Sequence, residues 1–162
     1  MKTLKKLWLI VPILLWTMGS CSSDDNGGGN STTGPDFTIA EMAGSWIATE
    51  AVFIPENSNS GEDQVWIPRD GGELTLIIQT SGRFTLTVTP PDRSSYTYTG
   101  KMFFEEGEFF VIEFDKYPGE YEYWGVDITA STLYLNSTFG EYDFDGDGTF
   151  ETATVLLTFA RS

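Results

Sequence analysis

Leu74-Thr75-Leu76-Ile77-Ile78-Gln79-Thr80-Ser81-Gly82-Arg83-Phe84-Thr85-Leu86-Thr87-Val88-Thr89 is the stretch that decides the fold. Leu74, Leu76 and Ile78 alternate with Thr75, Ile77 and Gln79. After Thr80-Ser81-Gly82, Phe84, Leu86 and Val88 alternate with Thr85, Thr87 and Thr89. A period of two marks a strand with one buried and one wet face. A short link containing glycine marks an antiparallel hairpin.

The same patterning repeats on both sides of this hairpin. It predicts eight strands, over 45–54, 73–79, 83–89, 95–104, 108–114, 122–129, 132–139 and 151–160. In the first, Trp46, Ala48, Val52 and Ile54 share a face; in the last, Ala153, Val155, Leu157 and Phe159 do. Before the first strand, Thr38 and Glu41 stand at capping-box spacing, so a short helical turn precedes Gly44. The connections alternate in length. Those at 80–82, 105–107 and 130–131 are tight; those at 55–72, 90–93, 115–121 and 140–150 are longer. In an up-and-down meander, successive connections fall at opposite ends. The expected architecture is therefore all-β: an eight-stranded antiparallel up-and-down barrel, with a short N-terminal helical turn, a closed base and a loop-rimmed mouth. A β-sandwich is the alternative that strand spacing alone leaves open.

Composition narrows the chemistry. The 162 residues carry 24 acidic and 9 basic side chains, for a net charge of −15, with 15% aromatics. Abundant aromatic and β-branched residues favour strands. So acidic a chain does not bind nucleic acid through general electrostatics. There is no histidine and one cysteine, which excludes Ser-His-Asp, Cys-His and histidine-zinc chemistry as well as an internal disulfide.

That cysteine, Cys21, follows Lys2, Lys5 and Lys6, an apolar segment from Leu7 to Trp16, and Met18-Gly19-Ser20. The segment is too short to span a bilayer and reads as an export signal over 1–20. The pattern resembles a bacterial lipoprotein signal, which implies that Cys21 becomes the first mature residue and carries lipid on its sulfur. All 24 acidic residues but only six of the nine basic ones lie beyond residue 20, leaving −18. Residues 21–36, rich in Gly, Ser, Asn and Thr, read as a flexible lipidated tether. Asp24-Asp25 just after the cysteine is similar to the signal that sends Bacteroidota lipoproteins to the outer face of the outer membrane. The expected partner of this end is the membrane, reached through the anchor, with the domain at 37–162 displayed at the cell surface.

Gly44-Ser45-Trp46 at the start of the first strand resembles the lipocalin Gly-x-Trp motif, and Arg161 resembles the arginine that ends the last lipocalin strand. The chain is thus similar to the lipocalin-like domains of Bacteroidota surface lipoproteins. The resemblance implies that Trp46 and Arg161 close the base as structural residues, a guanidinium over an indole being worth roughly 0.5–2 kcal/mol. It also implies a non-catalytic binding protein; because the first strand starts at the closed end, where the tether enters, the mouth is expected to point away from the membrane.

Two regions are candidate sites. Asp143-Phe144-Asp145-Gly146-Asp147-Gly148-Thr149-Phe150-Glu151 has carboxylates at positions 1, 3, 5 and 9 and glycine at 6. Crowded carboxylates at alternate positions suit Ca2+, with Asp143, Asp145, Asp147, the Thr149 carbonyl and Glu151 as donors. A solvated acidic hairpin is the plainer reading. Trp66, Tyr117, Tyr121 and Trp124 are placed by the loop pattern at the mouth, where rings cover an apolar ligand or stack on a sugar. The expected function is binding of a small hydrophobic molecule or glycan fragment, without catalysis. The alternative is an accessory or structural subunit whose acidic rim docks a partner protein.

Overall fold

A computed structural model describes residues 29–56, 64–67, 71–90, 94–144, 149 and 151–162, with the backbone alone for residues 64–66. Thr38 caps α1 (Ile39–Met42): its hydroxyl accepts the Glu41 N–H while the Glu41 carboxylate accepts the Thr38 N–H at 2.7 Å. The strands follow as β1 (Gly44–Pro55), β2 (Gln64–Ile67), β3 (Glu73–Ile78), β4 (Arg83–Thr89), β5 (Tyr96–Glu105) and β6 (Phe109–Phe114). The rest are β7 (Tyr121–Tyr123), β8 (Gly125–Ile128), β9 (Thr132–Tyr142) and β10 (Glu151–Arg161).

Every pairing is antiparallel, and all ten strands belong to one sheet in the order β7-β6-β5-β4-β3-β1-β10-β9-β8, with β2 added to β1. The two ends of that nine-strand path, β7 and β8, are neighbours in the chain with Trp124 alone between them. The sheet therefore curls back on itself into a nearly closed barrel. It is not two stacked sheets.

The structure revises the expected strands in three places. The strand expected at 122–129 splits at Trp124: β7 pairs with β6, and β8 pairs with β9. The long connection after β1 contains β2, because β1 runs twelve residues and β3 six. Gly44–Ile47 pair with β3 and Ala51–Phe53 with β2. Third, the register of β1 on β10 shifts between Ala48 and Glu50. An extra residue in a strand reverses which side chains face the core. Trp46 and Ala48 are buried as expected, but beyond the shift Ala51 is the buried residue in place of Val52.

The core fills the base. Trp46, Leu76, Ile78, Phe84, Met102, Phe104, Phe110, Leu133 and Phe159 pack together, with Ile39 and Met42 of α1 beneath them. The N-terminal segment belongs to this layer. Ser31 forms a two-bond bridge with Phe104 (2.8 and 2.7 Å), and the Ile39 N–H donates to the Thr32 carbonyl at 2.9 Å. Residues 31–36, which composition assigns to a tether, are thus a strap across the closed end.

Candidate functional site

Inward-facing side chains change character along the barrel. On β5, Gly100, Met102 and Phe104 are buried at the base end, and the same parity continues upward to Tyr98 and Tyr96. These two stand opposite Leu86 and Val88 of β4, yet they are 36% and 42% exposed. Solvent therefore reaches both rings at this end. Phe114 joins them: its ring lies edge-on to Tyr98 at 5.7 Å and to Phe84 at 5.6 Å. Tyr98 in turn packs edge-on to Tyr96 at 5.4 Å. Val88 beside Tyr96, Leu74 next to it and Ala153 on β10 remain buried, so the exposed inner-face rings are on β5.

Glu122 supplies the charge on this face. It pairs with the buried Ile112, so it shares the inner face. Trp124, half-buried against the core, donates its indole N–H to the Glu122 carboxylate at 3.2 Å. Burial pushes the Glu122 carboxyl above its usual range, and the charge of Glu141 adds to the shift. Tyr96, Tyr98 and Phe114 form an aromatic wall, with the acceptor Glu122 lower on the same inner face and Trp124 below it, where its backbone N–H donates to the Phe110 carbonyl at 3.1 Å. Such a wall can cover an apolar ring or chain and take a hydrogen bond from it.

Of the four rim residues expected from sequence, Trp124 faces inward but at the level of Phe110, below these rings. Tyr121 faces the outside of the barrel, edge-on to Phe103 at 5.3 Å. Tyr117 lies in the β6–β7 loop, 45% exposed, with the Lys116 ammonium 5.0 Å from its ring centre. The Trp66 side chain lies outside the described residues. Tyr98 and Phe114 were legible only through strand parity, since both continue the alternation that leads down to Met102 and Ile112. Phe103 and Val111 are buried on the outer face, covered from the β7 side. Their sequence signal is apolar runs without alternation, Met102-Phe103-Phe104 and Phe109 to Ile112.

At the opposite end, the Arg161 guanidinium lies 4.1 Å from the Trp46 ring centre. It donates to three main-chain carbonyls, those of Ala130 (2.9 Å), Ala43 (2.8 Å) and Glu41 (2.9 Å). The Trp46 indole N–H donates to the Met42 carbonyl at 2.8 Å. These bonds hold α1 and the β8–β9 turn to the start of β1 and the end of β10. A recess of about 580 Å³ beside them is lined by Phe37, Val126, Ile128, Asp36, Asp127 and Arg161 among others. It lies where, among the described residues, no strand pairs with β8 on the side away from β9.

The acidic hairpin joins β9 to β10. The Glu151 carboxylate accepts the Phe144 N–H at 3.2 Å across the hairpin, and Phe144 packs on Tyr142, which stacks on Phe53. Asp145, Asp147 and, at the other end of the chain, Cys21 lie outside the described residues. Among the described residues, no group of three or more Asp, Glu, Cys or His is placed to hold a metal. No described helix is long and apolar enough to cross a membrane.

A scan of protein-family models and searches of curated proteins and of solved structures give no match to this chain.

Proposed function

We propose that the protein is a non-catalytic binding protein of lipocalin-like architecture, anchored to the outer membrane through lipid on Cys21. In this reading it takes a small hydrophobic molecule or glycan fragment at the open end of the barrel. The observation that carries the reading is the solvent exposure of Tyr98 and Tyr96 on the inner face, above a filled base. Eight ring positions follow if β7, Trp124 and β8 are counted as one bent strand. With the Arg161–Trp46 contact, that count supports the lipocalin likeness. In this reading Asp143, Asp145, Asp147, Thr149 and Glu151 hold a Ca2+ that stiffens the hairpin beside the mouth. What supports it is the alternate spacing of these oxygen donors in the sequence.

Native mass measurement of the protein purified from cells tests both parts. A bound mass that disappears in the Tyr98→Ala, Phe114→Ala double variant supports the mouth site. An unaltered mass in that variant refutes it. A calcium adduct that is lost with Asp145→Ala supports the hairpin site, and a calcium-independent spectrum refutes it.

A further inference from the structure

The split at Trp124 has a second consequence, on the side wall rather than at the mouth. At Gly125 the chain locks onto β9, opposite Asn136, with whose side chain a Cβ at position 125 would collide. Above that point β7 turns away to β6, while β9 continues to Tyr142 paired with β10. Among the described residues, no strand pairs with 137–141 on the side away from β10, nor with β7 on the side away from β6. A slit bounded by two strand edges results.

We propose that this slit takes an extended lysine- or arginine-bearing peptide segment of another protein, which adds to the β9 edge as a new strand. The backbone is oriented for it. The Thr152 carbonyl bonds to the Glu56 N–H on the β1 side, so Thr152 and its cross-strand partner Glu141 form a non-hydrogen-bonded pair. The Glu141 N–H and C=O then point away from β10, into the slit. A register shift between Ala153 and Val155 bulges β9 at this level, and Phe139 stands 82% exposed beside Glu141. The bulge and the charge of Glu141 blunt this edge against indiscriminate pairing, and the Phe139 N–H is taken by the Ser137 hydroxyl at 3.2 Å; the Glu141 N–H and C=O are left to hold an incoming segment, with its alternate side chains selecting it.

Charge chooses the occupant. Glu141 stands on one border of the slit and Glu122 on the other, close enough for Glu141 to disfavour ionisation of Glu122. A basic side chain entering between them relieves that repulsion. A second copy of this chain would instead bring a further net charge of −15 against the same two groups.

The test uses the 15N-labelled full chain and two capped octapeptides of equal charge, one alternating lysine with valine and one alternating lysine with proline. The lysine–valine peptide should shift the amides of Thr138, Gly140 and Glu141 and slow hydrogen exchange at Glu141 by about tenfold or more. The lysine–proline peptide cannot complete a ladder and should not slow that exchange. Phe139→Lys with Glu141→Lys should remove the response, and a melting temperature within a few degrees of wild type confirms that the variant is folded. Equal responses to both peptides would reduce the effect to bulk electrostatics and overturn the proposal. So would a response centred on Tyr98 and Phe114, or protection of Glu141 that rises with protein concentration in the absence of peptide.

Discussion

The guanidinium of Arg161 fills the space that a side chain on Gly44 would need: a Cβ built there lies 2.6 Å from Nη1. Gly44 also has φ +144°, a conformation that residues with side chains rarely adopt. The glycine of Gly-Ser-Trp and the arginine at the far end of the chain are thus parts of one contact, with Trp46 beneath the guanidinium. Loss of the charged hydrogen bonds and the cation–π contact in Arg161→Ala should cost roughly 2–4 kcal/mol. Gly44→Ala alone should be comparably destabilising. In the Arg161→Ala background it should cost less, because the clash is gone and only the backbone strain is left. Urea denaturation of the two single variants and the double variant measures that coupling. Additive effects would mean that the guanidinium and the glycine are independent.

The strap makes a second prediction. A Cβ on Gly34 would collide with the Phe104 ring, which is buried between Phe37 (centroids 5.2 Å apart) and Phe110 (5.6 Å) and has nowhere to move. Gly34→Val should therefore destabilise by about 1–3 kcal/mol through overpacking. A freely moving tether would tolerate the change without effect. Thermal melts of Gly34→Val beside Gly29→Val separate the two descriptions.

Most of the strand order was legible because it rests on a period-two pattern with short links, which Leu74 to Thr89 displays without interruption. Its failures are local. Nothing in Ala48-Thr49-Glu50-Ala51 announces the bulge that exchanges Ala51 for Val52 in the core, since every residue there tolerates either face. The split at Trp124 is equally silent, because both halves of 121–128 keep their alternation while changing neighbours. The candidate site suffered from a different ambiguity. The place of Tyr117 and Tyr121 in the chain points to the rim, but says nothing of which way a ring faces. The rings that face the opening, Tyr98 and Phe114, lie on strands, where the same parity that buries Met102 also carries them inward. Ser31 to Gly34 read as linker from composition. Their contacts are made by main chain and by a missing side chain, and composition does not encode either.

Asp115 gives a pH prediction. The Arg83 guanidinium holds it through two bonds of 2.7 and 2.6 Å, and the Thr99 hydroxyl donates a third at 2.6 Å. These partners, Arg83 first, depress its carboxyl from 3.8 to about 2. A depressed folded-state value means that the contribution to stability is present above the unfolded value and is lost as pH falls through the folded one. The Arg83–Asp115 contribution should thus fade between about pH 4 and pH 2. The pair is solvent-exposed, so the effect should be small. Melting curves of wild type and Asp115→Asn should differ at pH 6 and converge at pH 2. A constant difference across that range would show that the ion pair contributes nothing that titrates.

Glu122 has the opposite sign. Its carboxyl sits on the inner face, raised above the usual range by burial first and by Glu141 second, while the Trp124 indole N–H pulls it back. A raised value means that ionising the group opposes folding, so the charge costs stability at neutral pH and costs nothing once pH is well below the unfolded value. Glu122→Gln keeps an acceptor for the indole and removes the charge. It should raise the melting temperature at pH 7 by a few degrees at most, and leave it unchanged at pH 3, where wild type is already protonated. Partial exposure of the group keeps the gain small. The variant also separates two uses of the carboxylate. If Glu122 accepts a neutral hydrogen bond from a mouth ligand, the glutamine amide oxygen replaces it and binding survives. If it pairs with a cation entering through the slit, affinity falls with the charge. Titration of Glu122→Gln with the lysine–valine octapeptide, read at the Glu141 amide, should show weakened binding and a shallower dependence on salt. Undiminished affinity in that variant would leave Glu141 as the sole charged contact for the peptide.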